Sequence, residues 1–133
     1  MCFLAKTTEE ATLKIATKNI RVYKAISREG NGWLYSLWIN NEREKWTPGF
    51  HYTEPDFSKK ALNKRIVGEG YFVDGNAFHS KKTLDSVRKM SHDHNDIIVE
   101  MYIPRGARYY ENNEEYVSSS LVYPENPIIH HFM

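Results

Sequence analysis

Three short segments of the chain carry the residue types from which a ligand site could be built. They are Tyr23-Lys24, Phe78-His79-Ser80 and Glu114-Glu115-Tyr116. Each is predicted to lie at the end of a strand or in an adjoining turn, where side chains can converge on a cleft. The lysine, the histidine with its serine, and the two glutamates are suited to bind phosphate and ribose hydroxyls. The alternative stays open that the aromatic residues are core and the charged ones face water.

The other chemistry that the sequence offers is less specific. His92 and His94, with Asp93 or Asp96, could hold a metal ion, although histidine at the end of a helix is also favoured by the helix dipole. The chain contains neither a Gly-x-Ser-x-Gly motif nor a glycine-rich phosphate loop. We therefore predict no metal and no cofactor.

A β-hairpin is the clearest element that would position these residues. Residues 20–26 alternate with a period of two and are rich in β-branched and aromatic types, and residues 33–39 alternate in the same way. Asn31-Gly32 lies between them and suits the positive φ of a tight turn. Tyr23 and Lys24 would then lie on the first strand.

The remaining elements are shorter. Residues 7–15 are predicted to form a helix capped by Thr8, or else a strand, and residues 40–60 a loop with aromatic side chains. Further strands are predicted at 70–73, 96–102, 108–110 and 116–123. Ser80 is the expected N-cap of a helix in which Leu84, Val87 and Met90 share a face, and Pro104 is expected at the second position of a turn over 103–106.

These elements predict one α+β domain over residues 1–133, with an extended tail at 124–133. The fold expected is a bent, mainly antiparallel sheet of about six strands with one or two helices. A hydrophobic content of 41% supplies its core.

Charge and cysteine usage limit the partners and the compartment. The formal net charge is +1, which argues against a nucleic-acid partner. The first residues are not typical of a signal peptide, and no apolar run approaches the ~20 residues that cross a bilayer. With Cys2 as the single cysteine, there is no disulfide within the chain. We expect a cytoplasmic protein without a membrane partner, and an exposed hairpin edge suggests a homodimer.

The order of several motifs resembles a known family. "YK" at 23–24, "FHS" at 78–80, "IPRGARYY" at 103–110 and "EYVSSSL" at 115–121 resemble motifs that small bacterial and phage proteins carry in this order. The likeness covers roughly residues 19–123. That family has no assigned activity, so the resemblance implies a small, phage-encoded accessory protein.

A more distant likeness is to the ADP-ribosyltransferases. By position Lys24 would stand for the family's early arginine, Ser80 for its serine motif, and Glu114 or Glu115 for its late glutamate. The resemblance implies a site for NAD or a related nucleotide. Lysine lacks the planar fork of arginine, and Ser-Lys-Lys replaces Ser-Thr-Ser, so we expect binding without turnover.

Three functions follow as expectations. The first is an accessory protein that binds a nucleotide or NAD-derived molecule through Tyr23, Lys24, the segment 78–80, Glu114 and Glu115. The second is an inhibitor or structural subunit that binds a host protein through the aromatic residues of 33–57. The third is an ADP-ribosyltransferase-like enzyme in which Glu115 stabilises the developing charge.

Overall fold

A computed structural model gives the structure of most of the chain. The described residues are 3–5, 9–10, 12–28, 34–36, 49–52, 64–67, 70–73, 78–89 and 96–132. Within these ranges lie one helix, α1 (Leu84–Arg88), and the strands β1 (Phe3–Ala5), β2 (Lys14–Ile15), β3 (Ile20–Arg28), β4 (Leu34–Ser36), β5 (Gly49–Tyr52), β6 (Lys64–Val67), β7 (Gly70–Val73), β8 (Phe78–Lys81), β9 (Asp96–Ile103), β10 (Arg108–Glu111), β11 (Glu115–Ser118), β12 (Ser120–Tyr123) and β13 (Ile129–His130).

These strands form two antiparallel sheets. The larger has ten strands, eight of them in the order β2-β10-β11-β8-β3-β9-β12-β5, with β4 also paired to β3 and β13 to β9. The smaller has the order β1-β7-β6. The prediction of a mainly antiparallel sheet is thus confirmed, but about six strands was too few. Several strands have only two to four residues, too few to show a clear alternation.

The centre of the large sheet is the long pairing of β3 with β9. It runs in register from Ile20 opposite Ile103 to Ser27 opposite Asp96. The predicted pairing of the two hairpin strands is confirmed, because β3 also pairs with β4 from Ile26 opposite Ser36 onward, while Asn31-Gly32 of the predicted turn lies outside the described residues. Residues 96–99 of β9 are all buried, as a strand covered on both faces requires.

The two faces of the large sheet bury different side chains. Directly opposed residues of antiparallel strands share a face, and successive residues alternate between faces. The face that carries Ala25 and Ile98 packs against Val87 of α1, and we call it the helix face. The opposite face, called the core face, carries the larger cluster of buried residues, which includes Val22, Ile26, Phe78, Ile97, Val99, Met101, Ile103, Leu121 and Tyr123.

The helix α1 is shorter than predicted, and its cap differs. Thr83 is the N-cap, and its hydroxyl accepts a hydrogen bond from the Ser86 amide at 3.1 Å. The prediction of Ser80 as the cap is wrong, because Ser80 pairs with Tyr116 inside β8. Leu84 and Val87 do share the inward face of the helix, while Met90 lies outside the described residues.

Of the two alternatives for residues 7–15, the described residues contain a strand, because Lys14 and Ile15 form β2, while Thr7 and Thr8 lie outside the described residues. The prediction for the middle of the chain needs correction. The expected loop over 40–60 contains β5, which pairs with β12. Gly49 is the first residue of that strand.

The turn after β9 is displaced by one residue from its predicted position. The Ala107 amide donates to the Pro104 carbonyl at 3.1 Å, which puts Pro104 first rather than second in the turn. Gly106 has a φ of 92° at the third position, where a type II turn requires a positive φ.

In the part of the chain that the structure describes, no helix is long and apolar enough to span a membrane.

Candidate functional site

The three segments singled out in the sequence come to lie on three neighbouring strands. In the large sheet β8 lies between β3 and β11, although these strands are far apart in the sequence. Tyr23 of β3 is opposite Lys81 of β8, and Lys81 is opposite Glu115 of β11. The sheet topology therefore brings together most of the predicted site residues.

The same register divides these residues between the two faces of the sheet. Tyr23, His79 and Glu115 lie on the helix face, together with Lys81. The predicted residues on the core face are Lys24, Phe78 and Ser80. The predicted residues therefore do not line one cleft, because strand alternation puts Lys24 and Tyr23, and likewise Ser80 and His79, on opposite faces of the sheet.

Glu114 belongs to neither face. It lies in the turn between β10 and β11, is exposed, and its backbone N–H donates a hydrogen bond to the Asn112 side-chain oxygen at 2.9 Å. Its carbonyl accepts a hydrogen bond from the Lys82 amide at 2.9 Å. The contacts of Glu114 are thus contacts of its backbone, and they hold the turn beside the end of β8.

A pair of opposite charges lies at the centre of the helix face. Lys81 Nζ is 3.5 Å from Glu115 Oε2, and the two side chains are only 14% and 13% exposed. Tyr23 flanks Lys81 and lies edge-on to the His130 ring, with 6.2 Å between the ring centroids. An ammonium and a carboxylate held beside aromatic rings can receive a phosphate and a hydroxyl group respectively.

His79 lies two residues before Lys81 on the same face. Neither ring nitrogen is exposed, and neither has a hydrogen-bond partner among the described residues. Burial, with the positive charges of Lys24 and Lys81, lowers the pKa of His79 to about 3. The ring is therefore neutral at physiological pH and presents one N–H donor and one nitrogen acceptor.

The three predicted site residues on the core face are surrounded by the rest of the fold. Lys24 Nζ donates to the carbonyl oxygen of His79 at 2.6 Å, which ties β3 to β8. Ser80 is 4% exposed, and its hydroxyl has no hydrogen-bond partner in the described part of the chain. Phe78 is a buried member of the main core, which agrees with the alternative that the aromatic residues of these segments belong to the core.

A second charged cluster lies on the core face beyond Ser80. Glu111 is 2.8 Å from Lys14 Nζ and 3.4 Å from Lys82 Nζ. Burial opposes ionisation of Glu111, but the two lysines outweigh it and lower the pKa of the carboxyl. Lys82 also lies 4.9 Å from the centroid of the Tyr116 ring, and burial raises the pKa of the Tyr116 hydroxyl. These contacts join β2, β10 and β11 at the end of the sheet.

Two residues of the helix face were missed in the sequence. Lys81 follows Phe78-His79-Ser80 directly. If residues 78–81 had been predicted as a strand, its alternation would have placed Lys81 on the same face as His79. Glu100 is a lone carboxylate within the apolar run of β9, and it lies opposite Tyr23. Its Oε1 is 3.5 Å from Nε2 of His130, without the geometry of a hydrogen bond.

Metal-binding side chains do not converge within the described ranges. No group of three histidine, cysteine, aspartate or glutamate residues placed to hold an ion occurs there. His92, Asp93 and His94 of the alternative metal hypothesis lie outside the described residues. Asp96 is buried in β9.

Comparison of the chain with protein-family models, with curated proteins and with solved structures gives no match. The helix face places a neutral imidazole, a largely buried ion pair and aromatic rings within one patch.

Proposed function

We propose that this chain is a cytoplasmic accessory protein that binds a nucleotide or NAD-derived molecule on its helix face without converting it. The observation that carries the proposal is the His79 imidazole, whose two nitrogens are buried and have no hydrogen-bond partner among the described residues. A buried polar group left without a partner costs about 1–3 kcal/mol, and an apolar side chain there would avoid that cost. A ligand that displaces the side chains covering the ring can supply the missing hydrogen bonds.

The neighbouring charges support a ligand that carries both phosphate and hydroxyl groups. Lys81 and Glu115 are held together at 3.5 Å with little exposure, so water screens them weakly. The ammonium suits a phosphate oxygen, and the carboxylate suits the paired hydroxyls of a ribose. The neutral His79 ring can meet the donor and acceptor of a base edge or an amide.

The ion pair also favours binding over catalysis. A glutamate that stabilises a developing positive charge acts through its own negative charge. In this chain the Lys81 ammonium lies 3.5 Å from the Glu115 carboxylate and offsets that charge. The enzyme alternative therefore requires the pair to separate. If the chain does cleave NAD, Glu115→Gln should abolish cleavage and leave binding mostly intact.

The protein-binding alternative depends on aromatic residues of 33–57. Trp33, Trp46 and Phe57 lie outside the described residues. Alanine at Trp46 should weaken binding of a host protein without unfolding the domain if that alternative holds. The homodimer likewise stays a prediction, to be measured by light scattering.

A thermal-melt screen against NAD, ADP-ribose, cyclic ADP-ribose and AMP tests the proposal, with the ligand recovered and identified by mass spectrometry. A ligand at a hundred times its Kd should add about 2.7 kcal/mol, or roughly ten degrees for a domain of this length. Recovery of intact ligand is expected, whereas cleaved ligand would indicate the enzyme.

The matched variants are His79→Leu and His131→Gln. His79→Leu should raise the melting temperature of the free protein and remove the shift that the ligand produces, because the ring that meets the ligand is gone. His131 is exposed, so its variant should behave like the wild type. A ligand shift that survives His79→Leu unchanged would overturn the assignment of His79.

A further inference from the structure

A groove of about 360 Å³ opens on the helix face beside the candidate site. It is lined by Arg21 of β3, by Glu100 and Tyr102 of β9, and by Asn126 and Ile128 from the segment between β12 and β13. Its volume is at the lower end of the ~300–1,000 Å³ typical of ligand sites. We propose that this groove binds the ribose-phosphate part of the ligand, an inference that rests on the proposed function.

Arg21 supplies the phosphate contact. It is exposed, it lies directly opposite Tyr102, and no carboxylate within the described ranges pairs with its guanidinium. A guanidinium presents a planar fork of N–H donors that matches two phosphate oxygens at once. Tyr102 beside it offers a flat aromatic surface for the sugar or the base.

Glu100 restricts which phosphate compounds fit. Its carboxylate is 14% exposed and lies on the same face, two residues before Tyr102. It repels a free anion but accepts hydrogen bonds from hydroxyl groups. The groove therefore selects a molecule that carries hydroxyl donors next to its phosphate, as a nucleotide does, over inorganic phosphate.

The groove and the candidate site lie side by side on the helix face of the sheet. Glu100 lies opposite Tyr23, and Tyr23 lies opposite Lys81. Arg21 precedes Tyr23 by two residues, so its Cα is about 8 Å from that of Lys81, given strand spacings of about 4.8 Å and rises of about 3.3 Å per residue. Both cations can therefore reach neighbouring groups of one ligand.

Calorimetric titration with AMP, ADP-ribose and inorganic phosphate tests the inference. Arg21→Gln should weaken AMP and ADP-ribose by about tenfold or more, because a charged hydrogen bond is lost. Arg108→Gln removes the same charge at an exposed position on β10 and is the matched control. Equal affinities for the two variants would overturn the groove assignment.

The variant Glu100→Gln tests whether the groove prefers AMP to inorganic phosphate. This change should weaken AMP and strengthen inorganic phosphate, since it removes both the hydroxyl acceptor and the repulsion of anions. Glu9→Gln removes a carboxylate at an exposed position that does not line the groove, and it should preserve the preference for AMP. Parallel changes in both affinities after Glu100→Gln would contradict the selection argument. Melting curves without ligand report whether each variant folds.

Failure of this inference can be separated from failure of the proposed function. If AMP and ADP-ribose bind, and His79→Leu abolishes binding while Arg21→Gln does not, the groove assignment is wrong and the proposed function stands. If neither nucleotide binds the wild-type chain at millimolar concentration, both are overturned. Loss of binding in both variants supports both.

Discussion

Acid should destabilise this protein through His79 in particular. The pKa of the ring is about 3 in the folded chain, mainly because burial disfavours the imidazolium. In the unfolded chain it should be near the ordinary value of about 6.5. Below pH 6.5 the unfolded state therefore takes up a proton that the folded state does not. Folding stability is complete above that pH and declines as the pH falls towards 3.

The size of the effect follows from the two pKa values. A pH of 5.0 is about 1.5 units below the pKa of His79 in the unfolded chain. Protonation of the unfolded state therefore lowers the free energy of unfolding by about 2 kcal/mol at that pH. At pH 7.5 the same difference is close to zero. For a domain of this length, about 2 kcal/mol is a fall of roughly seven degrees in Tm.

Urea unfolding at pH 7.5 and pH 5.0 measures this difference. The free energy of unfolding of the wild type should fall by about 2 kcal/mol more than that of His79→Gln, whose amide does not titrate. His131→Gln, at an exposed position, should keep the full wild-type pH dependence. If the wild type and His79→Gln lose equal stability on acidification, His79 is not a buried neutral imidazole and the argument for a ligand site there fails with it.

Three further predictions concern the elements that position the site. Lys81→Met should lower the free energy of unfolding in urea by about 1–3 kcal/mol, because it leaves the Glu115 carboxylate unpaired. The double variant with Glu115→Leu should recover part of this loss, and the absence of any recovery would contradict the pairing. Gly106→Ala should cost about 1–2 kcal/mol, because φ is 92° there and space is not limiting, so a neutral change would count against the type II turn. Thr83→Ala should cost about 1 kcal/mol in thermal melts through loss of the cap on α1, while Thr83→Ser should be close to wild type.

Long periodic segments could be predicted from the sequence because their patterns are local. The alternation in β3 and the largely apolar run in β9, which Glu100 interrupts, are set by which side chains must be buried, and both strands are found where expected. The pair of strands β3 and β4 could be predicted for the same reason. The short strands β7, β10, β11 and β12 also lie within or next to ranges that were predicted as strands. The strands β1, β5, β6, β8 and β13 were not predicted, because pairing with a neighbouring strand, rather than a pattern of their own, makes them strands.

Residue types at the candidate site were visible in the sequence, but their arrangement was not. Tyr23, His79 and Glu115 are separated by tens of residues, and only the strand order places them on one face. The same alternation sends Lys24 and Ser80 to the opposite face, where Lys24 binds a carbonyl oxygen. A sequence motif names neighbours along the chain, whereas a sheet brings alternate residues of different strands together.

The sequence by itself thus determined the antiparallel character of the sheet and the residues with suitable chemistry. The tertiary structure alone decided that the His79 ring nitrogens are buried without a partner among the described residues, that Lys81 faces Glu115, and that Arg21 and Glu100 share a groove. The physical reason is that burial, ion pairing and concavity depend on contacts between strands that are distant in the chain, and local patterns carry no information about which strands meet.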